Sequence, residues 1–410
     1  MKTIWVVGGG IESIPGLILA KKMGLVVVVS DADPEAPGIQ IADFGYCAST
    51  YDFEQTLNFA KLHLAQGNQI DGFISLAADV PKTVAGLSNY FGLPTQSLTT
   101  ANLAADKFLM KEQLKVAGVN IPKFAIVNSF ADIGKFQAKN PGKSVLKPTD
   151  SRGSRGVLVI DGKSDLNWAY RESLSFSPSK TLIIEEFLSG PQFSTESVIS
   201  RSHWLHLGFA DRNYQDLEKL LPRIIENGGS QPSIHPQEVQ ERILHEVEKA
   251  GEALGLTSGI LKGDMVWHNN MPYVIEVATR LSGGWFSSIQ IPASTGISII
   301  ELAIRIALGE IVNIERIKVK KRKSVAIRYL FPLPHENYRS LHENLPRLGT
   351  GIIESKYLQE SDYKNTAMKS HTDRLAFVIA KGRSVKVAIR RAERAIEKIY
   401  LAARIVERNE

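Results

Sequence analysis

The stretch LKGDMVWHNNMPYVIEVATRLSGG, Leu261 to Gly284, sets Asp264 and Glu276 on either side of a His-Asn-Asn turn. A hairpin turning near Asn270 puts these two residues opposite each other on adjacent antiparallel strands. Side chains alternate along a strand, so one face of the hairpin carries Leu261, Met265, Trp267, Tyr273, Ile275 and Val277. The other carries Lys262, Asp264, Glu276 and, at the strand end, Arg280. The first face is a core face. On the second, directly opposed carboxylates repel each other, and something positive is expected between them. A hard divalent cation such as Mg²⁺, which takes oxygen ligands and keeps company with phosphates, meets that need. An ion pair with Lys262 or Arg280 is the alternative.

At 410 residues the chain exceeds one ordinary core, and two or three domains are expected. A hydrophobic content of 43% with 22% charged residues belongs to a folded globular protein. The longest apolar runs, such as LVVVV from Leu25 to Val29, are too short to span a bilayer. The first residues lack the pattern of a secretion signal, because Gly8 to Gly10 and Glu12 interrupt the apolar stretch and no small-residue cleavage site follows. A cytoplasmic location is therefore expected. The single cysteine, Cys47, excludes an internal disulfide and a Cys-rich metal site, and it reads as a small core residue.

The net charge of +6 raises the question of nucleic acid. Its densest patch, RIKVKKRKS from Arg316 to Ser324, falls in a connection between helix and strand. Much of the rest lies in the C-terminal AIRRAERAIEKIYLAARIVERNE, where basic and acidic residues surround an apolar stripe as on a surface helix. No nucleic-acid motif or aromatic stacking platform is present in the sequence. Neither nucleic acid nor membrane is expected as a partner; attraction of anionic substrates is a secondary use of the charge.

From the N-terminus, TIWVVGGG, SIPGLILAKKMG and LVVVVSDAD read as a βαβ opening with parallel strands. A helix near Glu54 to Ala65, a strand GFISL and a helix from Pro81 continue it. The dinucleotide fingerprint needs glycine or alanine three residues after Gly10, where Ser13 stands; Asp31 ends the second strand, but a scaffold role or a small-molecule contact suits this turn better. GLPTQSLTT is a linker, after which Thr100 is expected to cap the helix ANLAADKFLMKEQLKVAG. KSVLKPTDSRGSRGVLVI gives a strand with Lys147, a glycine- and serine-rich turn, and another strand. TLIIEEFLSGPQFSTESVIS reads as a second strand pair broken at Ser189 to Pro191, and HPQEVQERILHEVEKAGEALG as a long helix. Beyond Gly309, SVAIRYLF, RLAFVIAKG and a closing helix suggest a third, mixed domain.

The turn TDSRGSRG, Thr149 to Gly156, joins two strands, so it is not a Walker loop, which opens a helix. Its backbone N–H groups, the hydroxyls of Ser151 and Ser154 and the guanidinium groups of Arg152 and Arg155 suit a polyphosphate. It reads equally as a plain hairpin turn. Lys147 adds a point charge; Lys107, after Asp106, reads on its own as a solvated helix lysine.

Taken in order, Lys107, Lys147 with its Gly/Ser loop, IIEEFLSGPQFS, Asp264 and IEVATRLSGG resemble the ATP-grasp superfamily over essentially the whole chain. The resemblance implies an α/β and α+β molecule: a Rossmann-like pre-ATP-grasp domain over 1–95, an ATP-grasp domain over 96–310 and a C-terminal α+β domain over 311–410. Within the middle domain it implies a nucleotide-binding part over about 118–190 and a metal and substrate part over about 191–310. It also implies ATP with Mg²⁺, or Mn²⁺ in its place. Lys107 and Lys147 then contact phosphates or adenine, and the loop with Ser151, Ser154, Arg155 and Gly156 closes over the phosphates. Glu185, Glu186, Phe187 and Leu188, after Ile184, hold adenine, and Gln192 takes a ribose-binding place often filled by Glu. Asp264 and Glu276 are the metal carboxylates. Arg280, with Lys147 and Arg155, steadies the transferring phosphoryl group.

Where the family often reads Glu-x-Asn-x-Arg, this chain has Glu276, Val277, Ala278, Thr279, Arg280, which removes one ligand of a second metal. RLSGG and IENGGSQPS are similar to carboxylate–amine ligases of the amino-acid ligase type, and also to purine-biosynthetic members of the superfamily. They imply Glu226, Ser282, Gly283 and Gly284 near an acid substrate, with Trp285, Phe286 and Gln290 close by. The implied reaction joins a small carboxylate to an amine through an acyl phosphate. Carboxylation through carboxyphosphate, a nucleotide-binding module without turnover and, least favoured, a dehydrogenase are the alternatives. A homodimer is the default assembly.

Overall fold

The computed structural model describes residues 1–319, 322–333, 336–341, 344–359, 362–364 and 368–405. Two lysines of the basic patch, Lys320 and Lys321, and the last five residues of the C-terminal stretch lie outside them.

Four parallel strands, β1 (Thr3–Val7), β2 (Val26–Asp31), β3 (Phe44–Cys47) and β4 (Gly72–Ile74), form a sheet in the order β3-β2-β1-β4. Near-continuous apolar strands suit burial on both faces. Ile4, Val6, Val27 and Val29 pack with Leu17 and the helix Ile299–Ala307, while Trp5, Val28 and Phe73 pack with Leu57 and Leu87 on the other side. The first of these cores also holds Leu207 and Ile260 from the large sheet, so the N-terminal unit is seated on the rest of the chain. Cys47 is exposed at the edge strand rather than buried, which corrects its reading as a core residue.

The glycines after β1 serve close packing. A Cβ on Gly9 would meet Val29 at 2.8 Å, and a Cβ on Gly38 would meet the Gly9 backbone at 2.6 Å. The Gly9 N–H donates to the Asp31 carboxylate at 2.7 Å, so the acidic residue of the supposed dinucleotide site is occupied by its own turn.

The linker helix is two helices. Ser97, not Thr100, caps Leu98–Ala105 by accepting from the Thr100 N–H; Asp106 breaks the run and caps Lys107–Val116 through the N–H groups of Phe108 and Leu109. A short carboxylate satisfies the free donors of a helix start better than continuing the first helix would.

A four-stranded antiparallel sheet follows, made of β5 (Phe124–Val127), β6 (Ser144–Pro148), β7 (Leu158–Ile160) and β8 (Leu182–Glu186) in the order β5-β8-β6-β7. Next come β9 (Gln192–Ser200), β10 (His203–Arg212), β11 (Gly229–Gln231), β12 (Gly259–His268) and β13 (Met271–Ala278). Strands β8 and β9 do not pair with each other; the break at Ser189 to Pro191 carries the chain from one sheet to the next. Strand β14 (Ser324–Leu330), the short β15 (Asn337–Tyr338), β16 (Ile352–Tyr357), the short β17 (Tyr363–Lys364) and β18 (Ala376–Gly382) complete the C-terminal part with the helix Val385–Ala403. Eight of these strands form one sheet in the order β13-β12-β9-β10-β11-β14-β18-β16, continuous across the expected division near residue 310.

The β12–β13 hairpin turns at Asn269 and Asn270, whose φ values of 48° and 60° are those of a two-residue turn that asparagine tolerates. Asp264 pairs with Glu276 as expected, but a bulge next to it brings Met265 opposite Val274. The extra residue is Ile275, so Val274 enters the core with Leu261, Met265 and Val277, and Ile275 faces the cleft beside Glu276. The alternation predicted for Ile275 fails there because a bulge shifts the period by one.

Candidate active site

A cleft of about 700 Å³ lies where the two antiparallel sheets and the N-terminal unit meet. Of the residues expected to form a site, Lys107, Lys147, Ser151, Ser154, Arg155, Glu185, Glu186, Phe187, Leu188, Gln192, Glu226, Asp264, Glu276, Arg280, Ser282, Gly283 and Gly284 all line it. Gly156 does not. It ends the turn in the left-handed region at φ 72°, where its carbonyl accepts from the Ser173 hydroxyl at 2.8 Å.

Because Asp106 starts a new helix, Lys107 is its first residue and is nearly buried instead of solvated. Its Nζ donates to the Ser151 carbonyl at 2.8 Å and lies 3.3 Å from Glu276. Lys147 on β6 lies 2.9 Å from Glu185, which also meets Lys111 at 3.4 Å. Lys111 is one helical turn beyond Lys107 and fully buried; burial pushes its pKa down to about 8 although Glu185 resists. Burial disfavours charge on Glu185 too, but Lys111 and Lys147 outweigh it and keep the carboxyl below its usual range.

The Thr149–Gly156 turn bridges the cleft and is held from both banks. Arg152 lies 3.5 Å from Asp79 and sits 4.9 Å over the Tyr51 ring, both in the N-terminal unit. The Gly153 carbonyl accepts from the His371 N–H at 3.1 Å, and the Ser154 hydroxyl is 3.4 Å from the His371 ring, on the C-terminal side. Burial, then Arg374, holds the His371 imidazole well below its ordinary pKa and therefore neutral. Within the turn, Arg155 Nε donates to the Arg152 carbonyl at 3.0 Å.

The opposed carboxylates are not bare. Asp264 meets Lys262 at 2.6 Å and Arg212 at 3.2 Å, and Arg212 makes a two-pronged contact with Glu226, both arms at 2.8 Å. Burial works against the Asp264 charge, and Arg212 and Lys262 outweigh it, so this carboxylate stays ionised far below the usual range. Arg280 reaches Asp79 through Nε at 3.2 Å and Nη2 at 3.3 Å. Burial again opposes charge, yet Arg280, then Arg152 and Lys107, hold the Asp79 carboxyl at about 2.

On the far side, the Gly284 N–H donates to Glu12 at 2.8 Å, and the Gly284 carbonyl accepts from Tyr329 at 3.3 Å and Gln290 at 3.2 Å. Trp285, at φ 56°, stacks on Phe377 at 3.8 Å, and Arg374 lies 3.7 Å over Tyr329 while donating to the Glu226 carbonyl. This bank therefore combines aromatic walls with fixed cations.

Among the described residues no group of three or more His, Cys, Asp or Glu side chains is arranged to hold a metal. Asp264 and Glu276 instead offer a pair of hard oxygen donors, and Ala278 adds none. That donor set fits Mg²⁺, which keeps waters and completes its shell with phosphate oxygens, and does not fit a cation needing an all-protein cage.

Asp79, Glu12, Tyr51, Arg212, Lys111, His371 and Arg374 were not singled out from the sequence. Asp79 had a signal: it follows β4 at the carboxyl edge of a parallel sheet, where ligands of such sheets gather. Arg212 and His371 enter only through long-range pairing and carry no local pattern.

Residues 104–284 match the ATP-grasp domain family. An L-amino acid ligase from Bacillus licheniformis superposes with a TM-score of 0.81 at 19% identity, covering 97% of this chain and 98% of that one. At that identity the likeness is one of fold. An uncharacterised protein of Sinorhizobium fredii, y4rH, is 22% identical over 82% of this chain and 69% of its own length. A formate-dependent phosphoribosylglycinamide formyltransferase of Prochlorococcus marinus is 24% identical over 60% of this chain, which spans only 61% of that relative. The chain thus has the ATP-grasp fold, and the match to the ATP-grasp domain family extends over residues 104–284.

Proposed function

We propose that the protein is an ATP-dependent carboxylate–amine ligase that forms an amide or peptide bond through an acyl phosphate and releases ADP and phosphate. The observation that carries this reading is the single cleft in which the Asp264–Glu276 pair, Arg280 and the Thr149–Gly156 turn face a bank of fixed cations and aromatic walls. The match to the ATP-grasp family and the fold shared with an L-amino acid ligase support it.

ATP enters against β8, where the N–H groups of Glu186 and Phe187 already donate to the Lys123 and Lys143 carbonyls, leaving the rest of the 186–188 backbone for the base. Lys107, Lys147 and the turn receive the phosphates. Glu276, paired with Lys107, and Asp264, paired with Lys262 and Arg212, would hold Mg²⁺. The metal would supply charge neutralisation on the phosphates. A carboxylate lying between Arg280 and the Ser282–Gly284 segment attacks the γ-phosphorus as the bond to ADP breaks. The amine then attacks the acyl carbon, its nitrogen loses a proton, and phosphate leaves. Arg280, Lys147 and Arg155 balance the charge on the transferring group, so catalysis rests on placement and electrostatics, with no covalent nucleophile. Contacts of the turn to Asp79 and His371 shut out water, which would otherwise hydrolyse the acyl phosphate.

The test is release of ADP and phosphate by purified protein with Mg·ATP against amino acids, other carboxylates and bicarbonate, singly and in pairs. Release that needs one acid and one amine, and collapses in Asp264→Asn and Glu276→Gln, is expected. Release with bicarbonate and no organic acid would replace the ligase with a carboxylase; ATP binding without release from any mixture would replace it with a nucleotide-binding module.

A further inference from the structure

Lys111 takes no part in the reaction, yet its side chain is only 1% exposed. A buried ammonium persists where its donors find partners, and a lysine offers three N–H groups. The Ile275 carbonyl accepts at 3.0 Å and the Val274 carbonyl at 3.5 Å, and Glu185 Oε1 lies at 3.4 Å. The two carbonyls belong to the β13 bulge. Among the described residues β13 is an edge of the large sheet, so carbonyls turned away from β12 meet no further strand, and buried ones need another donor. Val274 sends its own N–H to the Asn120 carbonyl at 2.8 Å. Lys111 thus does for the bulge what the ladder does for the rest of β13.

The bulge decides which residue faces Asp264. From the turn, His268 pairs with Met271 and Met265 with Val274. Continued without interruption, that register would set Asp264 opposite Ile275 and put Glu276 on the other face of the hairpin, because a shift of one residue exchanges the faces. The extra residue at the bulge moves the register by one, and Glu276 arrives opposite Asp264. The same ammonium reaches the second sheet: Glu185 Oε1 also meets Lys147 at 2.9 Å. Lys107, one helical turn before Lys111, lies 3.3 Å from Glu276, so one helix face holds both the carbonyls of the bulge and the carboxylate it delivers.

We propose that Lys111 is a positioning residue: it holds the β13 bulge in the register that sets Glu276 opposite Asp264, and through Glu185 it fixes that pair relative to Lys147. This rests on the reading of Asp264 and Glu276 as metal carboxylates, and not on which acid or amine reacts.

The test is calorimetric binding of β,γ-imido-ATP, once with Mg²⁺ and once with EDTA. The wild type should bind more tightly with Mg²⁺, and Asp264→Asn should lose that gain. In Lys111→Met, which keeps the length of the side chain without its charge, the gain should fall at least about fivefold, while the metal-free affinity changes by less than about threefold. With neither nucleotide nor metal, amide exchange at 275–277 should quicken at least about tenfold in Lys111→Met and stay unchanged in β1 and β2. A Mg²⁺ gain kept in Lys111→Met, an equal loss with and without metal, or unchanged exchange at 275–277 would each overturn the proposal. A wild-type affinity indifferent to Mg²⁺ would instead remove the metal pair, and the proposal with it. Should Lys111→Met fail to fold, Lys111→Met with Glu185→Gln, which leaves no orphaned charge at Glu185, is compared with Glu185→Gln alone. The same loss of the Mg²⁺ gain between those two supports the role of Lys111; an equal gain in both refutes it.

Discussion

The protein has two glycine-rich turns that follow strands, Gly8–Gly10 and Thr149–Gly156, and they do opposite work. In the first, the polar groups are consumed at home: Asp31 takes the Gly9 N–H, Ser13 donates to the Gly8 carbonyl at 3.0 Å, and Gly38 packs against Gly9. In the second, the side chains reach out across a cleft to Asp79, Tyr51 and His371. Glycine content marks both as tight turns; where their neighbours' hydrogen bonds and charges go separates a scaffold from a ligand cover.

The largest effects should come from stripping the second turn of its charge. Arg152→Ala with Arg155→Ala is expected to lower kcat/KM for ATP by about 10²- to 10³-fold, as loss of fixed charge stabilisation does, while moving the melting temperature by less than about 2 °C. Steady-state kinetics beside a thermal melt checks both halves. The mirror experiment is Gly9→Val. Forcing a side chain into that packing should cost about 1–3 kcal/mol, seen as a lowered denaturation midpoint, with the affinity for Mg·ATP per folded molecule unchanged. A Gly9→Val protein that is stable but blind to ATP would erase the contrast between the turns.

Asp79 sharpens it, because this residue joins the second turn to Arg280. Asp79→Asn should reduce kcat about tenfold by loosening Arg280. It should also alter the acid side of the stability profile. A carboxyl held at about 2 in the folded protein and at about 3.9 unfolded stabilises the fold fully above about pH 4, and loses that contribution as pH falls toward 2. On the order of 2 kcal/mol is at stake. Urea midpoints measured between those pH values should therefore fall less steeply in the variant. The smallest effect is dynamic: amide exchange in 149–156 should slow on adding nucleotide, and equal protection with and without it would remove the lid from the mechanism.

Local signals were enough for much of this molecule. Alternation and a turn sequence placed Asp264 opposite Glu276, and the βαβ pattern gave the parallel sheet. What local signals missed has a common cause. Ile275 changes face because of a bulge that strand periodicity does not encode, and Lys107 is buried because Asp106 prefers to cap a new helix rather than continue the old one. Arg212 reaches the cleft from the end of β10, and His371 and Arg374 from the short turn before β18, placements for which a single sequence holds no period or spacing. The expected alternative, an ion pair with Lys262, is present at Asp264, which pairs across the hairpin with Glu276.

Once the panel has named an acid, the measurement that bears most directly on the acyl-phosphate mechanism is the fate of its carboxylate oxygen. With the acid labelled by heavy oxygen in its carboxylate, the phosphate released in a single turnover with Mg·ATP and the amine should carry one labelled oxygen. Unlabelled phosphate from an otherwise active enzyme would contradict the account, because it would mean that the acid never attacks the γ-phosphorus.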